Sequence, residues 1–171
     1  MWSIIDTLYL YLPENYNSQI EIIACYDLDW TLVKPKSGAK FPKNTTDNII
    51  MNNRVNTLKK QIAAGYTIVI FSNQKVTNRE SITFKIDRMN HIISLFKNYG
   101  LAPIILMAIA DDHYRKPEIG MLNELFQFFP NVKAGFYCGD AAGRPGDFSD
   151  SDLKFAENAK MNFYTPEKIF G

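Results

Sequence analysis

Apolar residues follow two rhythms along this chain. Gln19–Tyr26 (QIEIIACY), Thr67–Phe71 (TIVIF), Pro103–Ile109 (PIILMAI) and Val132–Cys138 are short, nearly unbroken apolar runs, as expected of strands covered on both faces. Between them the spacing changes to three and four. Met51, Val55, Leu58 and Ile62 lead to Gly65, and Ile82, Ile86, Met89, Ile93 and Phe96 lead to Gly100, which predicts two amphipathic helices with glycine stop signals. Met121, Leu122, Leu125 and Phe129 predict a third, opened by Pro117. A last helix near Ser149–Lys160 leads to a short strand at Asn162–Tyr164, and residues 1–18 (with WSIIDTLYLYLP) are short enough to add an edge strand.

This alternation predicts an α/β fold, a Rossmann-like, mostly parallel sheet with helices on both faces, and polar ligands bound beyond the carboxyl ends of the strands. The 171 residues, 46% hydrophobic and without repeats or linkers, read as a single domain over residues 1–171 with no large cap domain. Basic and acidic residues nearly cancel at a formal charge of +1, which excludes a uniformly basic coat and leaves any polyanion to a local patch. Neither a membrane-spanning apolar run nor a signal-peptide pattern is present, so the expectation is a soluble, intracellular protein. Cys25 and Cys138 sit in strand-like runs and read as buried thiols, and with two histidines they make a structural zinc site improbable.

Polar clusters close the predicted strands: Asp27-Leu28-Asp29-Trp30-Thr31, Ser72-Asn73-Gln74, Arg115-Lys116-Pro117 and Gly139-Asp140. Any one of them is an ordinary cap or turn, but four in order, each after its own strand, are hard to assign to turn chemistry alone. In a continuing strand Asp27 and Asp29 would face one side, and a hard divalent cation held by Asp27 and Asp140, with Mg2+ the natural choice, would offset their charges near a phosphate. Asp27 then serves as nucleophile and forms an aspartyl-phosphate, and Asp29 serves as general acid and base. Lys116, at the predicted start of a helix, and Ser72 and Asn73 complete a phosphate-binding set.

The segments DLDWT, SNQ, RKP and CGD resemble, in order, the four motifs of the haloacid-dehalogenase superfamily. That resemblance implies Asp27 as nucleophile, Asp29 as acid/base, and a metal held by Asp27, the backbone carbonyl of Asp29, and Asp140. A narrower resemblance covers nearly the whole chain and is to the phosphatase domain of polynucleotide kinase 3′-phosphatases. It rests on Ser37-Gly38 to Phe41-Pro42, Ser72-Asn73-Gln74, Gly139-Asp140-Ala141-Ala142-Gly143-Arg144-Pro145, Asp147-Phe148-Ser149 and Thr165-Pro166-Glu167. It implies a metal-dependent phosphatase acting on nucleic-acid 3′ ends, DNA before RNA, during repair. The chain departs from the two-domain repair enzymes in having no G-x-x-x-x-G-K-[ST] loop, so a stand-alone phosphatase is expected, with any kinase or ligase a separate partner. Trp30 stands where a glycine is common in that family.

Trp30 either stacks on a sugar or base or packs against its own loop. The lysine-rich stretch from Lys34 to Lys43, with Lys36, Lys40 and Phe41, is either the local basic patch or a solubilising loop. Arg79, Arg115 and Arg144 are further candidates for phosphate contacts. Asp150 is read as a helix cap, and Asp152 as a partner of a metal-bound water or of Arg144. Two rival readings share these motifs. One is a small-molecule phosphatase of the histidinol-phosphate or sugar-phosphate type, and the other is a catalytically silent module that binds nucleic-acid ends. The first is weakened because the chain lacks a Cys/His zinc loop, and the second because Asp27, Asp29, Lys116 and Asp140 are all in place.

Overall fold

The computed structural model describes residues 1–171, with the side chain of Ala134 left aside. Its elements, in chain order, are β1 (Trp2–Ile5), β2 (Leu8–Tyr11), β3 (Ile22–Tyr26), β4 (Val33–Lys34), β5 (Ile49–Ile50), α1 (Arg54–Ala63), β6 (Thr67–Asn73), α2 (Ile82–Asn98), β7 (Ile104–Ala108), α3 (Gly120–Phe128), β8 (Ala134–Cys138), α4 (Ser151–Ala159), β9 (Asn162–Tyr164) and α5 (Pro166–Phe170). Seven strands form one sheet in the order β1-β2-β7-β6-β3-β8-β9. The five from β7 to β9 run parallel, and β1 and β2 add an antiparallel hairpin at one edge. From β3 the chain builds outward through β6 and β7, then returns to lay β8 and β9 on the other side of β3. The order therefore reverses between β3 and β8, the place where open α/β sheets leave a crevice for ligands.

Alternation along each buried strand feeds two cores. Ile23, Cys25, Val69, Phe71, Ile104 and Leu106 point to the face covered by Met121, Leu122 and Leu125 of α3 and Phe155 of α4. Ala24, Tyr26, Ile68, Ile70, Ile105 and Met107 point to the opposite face, covered by Leu58 of α1, Met89, Ile92 and Phe96 of α2, and Phe170 of α5. Because both faces are covered, these strands read as unbroken apolar runs. Phe155 is fully buried, with its ring 5.4 Å from that of Phe71 and 4.8 Å from that of Tyr137. Truncating such a side chain to alanine typically costs ~3–5 kcal/mol.

Several boundaries differ from the periodic pattern, each for a local reason. The N-terminal segment is a hairpin of two strands, turned at Asp6 (φ 54°), where a single edge strand was expected. Met51 precedes its helix because its N–H still bonds the Leu32 carbonyl at 2.9 Å beside the small β4–β5 sheet, and Ile62 is 44% exposed on the outer side of α1. Pro117 does not open α3. Residues 110–119 run through turns, and the helix starts at Gly120, where a Cβ would lie 2.3 Å from the His113 carbonyl oxygen. The glycine stop signals hold: Gly65 (φ 97°) and Gly100 (φ 75°) take the left-handed conformation that ends α1 and α2.

Candidate active site

β3 delivers Asp27 to the switch point, where its N–H bonds the Cys138 carbonyl of β8 at 2.9 Å. The chain then coils. The N–H groups of Leu32 and Val33 both bond the Leu28 carbonyl, at 2.9 and 3.1 Å, and Leu28 is buried beneath the turn. Arg54 closes it from below, with Nε donating to the Thr31 carbonyl at 2.9 Å and its guanidinium 4.3 Å from the Phe170 ring centre. Trp30 sits in this coil at φ 61°, a region that strains an L-residue and suits glycine, which accounts for the glycine common at this position. Because the strand ends before Asp27, the two aspartates do not share partners as a continuing strand would have had them do.

The Asp27 side chain turns toward β8 and α4. Its Oδ1 accepts Lys116 Nζ at 2.8 Å, and its Oδ2 accepts Thr31 Oγ1 at 3.2 Å. Thr31 also lies 3.4 Å from Asp140 Oδ1, and its Oγ1 accepts the Asp140 N–H at 3.1 Å, so one hydroxyl ties the first and last clusters together. Lys116 is 3% exposed and also donates to Asp152 Oδ1 and to Tyr137 Oη, both at 2.8 Å. The Tyr137 hydroxyl donates to the same Asp152 oxygen at 2.7 Å, and Asp152 Oδ2 accepts the Ala141 N–H at 3.0 Å. Asp152 therefore anchors Lys116, and of its two expected partners Arg144 is instead held by Asp147 and Glu167. Gly139 makes this possible, because a Cβ there would lie 2.4 Å from Asp152 Cγ.

Charge in this pocket is unbalanced. Burial, reinforced by Asp152, pushes the Asp27 carboxyl well above its ordinary range despite the opposing pull of Lys116. Burial and Asp152 also raise Asp140. Burial alone would lower Lys116, but Asp152 and Asp27 outweigh it and raise its pKa, so the ammonium is kept. Carboxylate oxygens of Asp27, Asp140 and Asp152 lie within 4.8 Å of one another, with a single ammonium among them. An all-oxygen donor set with surplus negative charge fits a hard divalent cation such as Mg2+. Asp152 is 1% exposed, whereas Asp27 and Asp140 are only partly buried, which leaves those two as the carboxylates accessible to a cation.

Asp29 turns the other way, toward α2. Its Oδ1 pairs with Arg88 Nη2, and its Oδ2 accepts Gln74 Nε2 at 2.7 Å, with Arg88 Nη1 at 3.4 Å. Burial opposes ionisation here too, but Arg88 and the Gln74 hydrogen bond prevail and hold the carboxyl below its usual range. Gln74 Nε2 also donates to Ser72 Oγ at 2.9 Å, and its Oε1 accepts Lys85 Nζ at 3.3 Å, which in turn pairs with Glu80. The expected phosphate donor Asn73 has its side chain committed elsewhere: Nδ2 donates to the Lys116 carbonyl at 3.1 Å and Oδ1 accepts the Lys116 N–H at 2.9 Å. It braces the loop that carries Lys116. A helix N-terminus does not adjoin Lys116, since α3 begins at Gly120.

Arg88, Lys85 and Tyr137 lie outside the polar clusters that the sequence offers, and Thr31 and Gln74 lie within them without an assigned role. One signal was available: Lys85 and Arg88 fall on the buried stripe of α2 with Met89, Ile92 and Phe96, and a charge inside an apolar stripe requires a partner.

Around this centre the remaining candidates are spread over several loops. Trp30 is 39% exposed and its Nε1 donates to the Lys40 carbonyl at 3.1 Å, so the ring is pinned to the loop and still meets solvent. Lys36, Lys40 and Phe41 are exposed on a loop organised by Asp47, whose oxygens accept Ser37 N–H and Oγ, both at 2.7 Å, and Lys43 N–H at 2.9 Å. Arg79 is exposed, and Arg115 lies 3.8 Å from Asp111. Arg144 is held by Asp147 and Glu167 at 3.0 Å each and donates to the Asp140 carbonyl at 3.2 Å, so it supports the Asp140 loop. Asp150 makes no side-chain cap, and pairs with Lys154 one turn on at 2.9 Å.

The family profile described as "Polynucleotide kinase 3 phosphatase" matches residues 22–170, from the first residue of β3 to the end of α5. The chain belongs to this family. It is 39% identical over 173 residues to the bifunctional polynucleotide phosphatase/kinase of Schizosaccharomyces pombe, covering 99% of this chain and 42% of that protein. It is 30% identical over 208 residues to the polynucleotide 3'-phosphatase of Saccharomyces cerevisiae, covering 86% of this chain and 87% of that one. Among solved structures it resembles the D,D-heptose 1.7-bisphosphate phosphatase of B. bronchiseptica, complexed with magnesium and phosphate. The TM-score is 0.67 at 16% identity, covering 88% of this chain and 85% of that one, a likeness of fold. Family members differ in extent, the chain spanning less than half of the fission yeast relative and most of the budding yeast one. No helix of the structure is long and apolar enough to cross a membrane.

Proposed function

We propose that this protein is a magnesium-dependent phosphomonoesterase that removes the 3′-phosphate from nucleic-acid ends, DNA before RNA, through an aspartyl-phosphate on Asp27. The observation that carries the reading is the placement of Asp27 at the sheet's switch point, bonded to the buried Lys116 and tied through Thr31 to Asp140, in a chain of this family. Asp27 Oδ attacks phosphorus, the bond from phosphorus to the 3′ oxygen breaks, and a proton from Asp29 passes to the departing oxygen. Water then attacks the aspartyl-phosphate, gives a proton to Asp29, and releases phosphate. Lys116 balances charge on Asp27 and on the phosphoryl oxygens, and the Ser72 hydroxyl is free to donate to them. Asp27 and Asp140 would hold a divalent cation, which would supply the charge neutralisation that keeps Asp27 ionised beside a phosphate dianion. The exposed Lys36, Lys40, Lys43 and Phe41, with Trp30 at the rim, suit a strand's backbone and a terminal base.

The test is phosphate release, with Mg2+, from an oligodeoxynucleotide carrying a 3′-phosphate, beside its 5′-phosphate twin and histidinol phosphate. Preference for the 3′-phosphate, lost in Asp27→Asn, is the expected result. Turnover confined to histidinol phosphate would overturn the substrate while keeping the chemistry.

A further inference from the structure

Asp29 is gripped by a residue with no role so far. Arg88 of α2 is 4% exposed, and its planar fork meets the carboxylate with two nitrogens, Nη2 on Oδ1 and Nη1 at 3.4 Å from Oδ2. Its remaining nitrogen, Nε, donates to Asn48 Oδ1 at 2.8 Å. Asn48 is itself buried and fixed, since its Nδ2 donates to the Thr45 carbonyl at 2.9 Å and lies 3.0 Å from His91 Nδ1. The guanidinium is therefore locked at both ends, and a locked fork sets the plane of the carboxylate it holds, which a lysine's point charge would not do.

We propose that Arg88 is the positioning residue of the acid/base step, fixing the orientation from which Asp29 exchanges protons with the departing and attacking oxygens. The proposal rests on Asp29 being that acid and base. In the first step the bond from Asp27 oxygen to phosphorus forms, the bond from phosphorus to the alcohol oxygen breaks with its electron pair staying on that oxygen, and the Asp29 proton goes there. A deoxyribose alkoxide needs this proton, whereas nitrophenolate departs without it. Arg88 touches no substrate, so its contribution should appear only where the proton is needed. A role in the fold alone would affect both leaving groups equally.

The experiment compares kcat/KM, which covers events up to departure of the alcohol, for a deoxynucleoside 3′-phosphate and for p-nitrophenyl phosphate in wild type, Arg88→Met, Arg88→Lys and Asp29→Asn. Arg88→Met is expected to lower the ratio of nucleotide to aryl turnover by about ten- to a hundredfold, within the range that general acid catalysis and its orientation supply. Arg88→Lys should lower it by a smaller factor, and it carries the same test if Arg88→Met does not fold. A ratio that falls in Asp29→Asn but holds in both Arg88 variants overturns the role of Arg88. A ratio unchanged in Asp29→Asn overturns the acid/base assignment and the proposal with it. A wild type that hydrolyses only the aryl phosphate overturns the 3′-end reading instead, and glycerol phosphate then serves as the alkyl arm.

Discussion

Asp27 and Asp29 stand two positions apart in the same coil, yet they belong to different regions of the molecule. Asp27 faces β8 and α4, where Asp140 and Asp152 crowd it and Lys116 is the ammonium available, and its proton affinity is raised. Asp29 faces β6 and α2, where Arg88 and Gln74 satisfy both oxygens, and its proton affinity is lowered. The difference lies in the supporting elements, since sequence neighbours on one loop inherit the chemistry of whichever helix their side chains meet. The first region holds surplus negative charge, which the proposed cation would offset. The second is already neutralised, and a phosphate dianion arriving nearby would raise Asp29's affinity for a proton, as the proposed acid/base step requires.

The strongest way to break this contrast is to neutralise Asp27. Asp27→Asn is expected to reduce turnover by roughly 10⁴-fold or more while leaving thermal unfolding close to wild type, because the amide keeps the shape and loses the nucleophile. Undiminished turnover would transfer the nucleophile elsewhere. Removing the support instead should act on stability: Asp152→Ala takes the acceptor from the Tyr137 hydroxyl and the Ala141 N–H while Lys116 keeps Asp27, and should cost ~1–3 kcal/mol in urea unfolding. A cost below about 1 kcal/mol would show that the triad is not coupled to the fold.

These two regions were unequally legible in the sequence. Asp27, Asp140 and Lys116 could be read because each closes a predicted strand or precedes a proline, and buried parallel strands announce themselves as contiguous apolar runs. Arg88 could not be paired with Asp29, 59 residues away, nor Lys85 with Gln74 across the turn from β6 to α2, because both contacts depend on how α2 docks on the sheet. The strands β4 and β5 have two residues each, too few to show a period. The sequence offers Asp152 as a partner of a metal-bound water or of Arg144, whereas its burial against Gly139 and its bond to Lys116 are tertiary facts. Lys36, Lys40 and Arg79 are exposed and form no part of the buried centre, and holding a strand is the role proposed for the two lysines.

Smaller effects sharpen the contrast. Mg2+ at about a hundred times its dissociation constant should stabilise the protein by about 2.7 kcal/mol in thermal or urea unfolding, and Asp140→Asn should remove most of that gain while Asp29→Asn alters it less. Equal loss in both would place the cation between the two regions. Lys36 and Lys40 replaced together by alanine should weaken oligonucleotide turnover roughly tenfold and flatten its salt dependence, with p-nitrophenyl phosphate nearly unaffected. Equal losses on both substrates would assign the loop to the active site. The smallest effect concerns Asp47, whose carboxyl is held below its ordinary range first by the Lys43 N–H and then by Ser37. A depressed folded pKa stabilises above the unfolded value of about 4 and ceases to do so as pH falls through the folded value, so the Tm advantage of wild type over Asp47→Asn should shrink as the solution is acidified below that point. A constant difference across that range would remove Asp47's charge from the loop's stability.

The most direct test is to follow the phosphoryl group itself. An oligodeoxynucleotide carrying a radiolabelled 3′-phosphate is mixed with enzyme and Mg2+, quenched in acid within a turnover, and the protein is digested and mapped. The account predicts label on the peptide containing Asp27, absent in Asp27→Asn and discharged by further incubation before quenching. Release of labelled phosphate with no label passing through the protein, or label retained in Asp27→Asn, would contradict it.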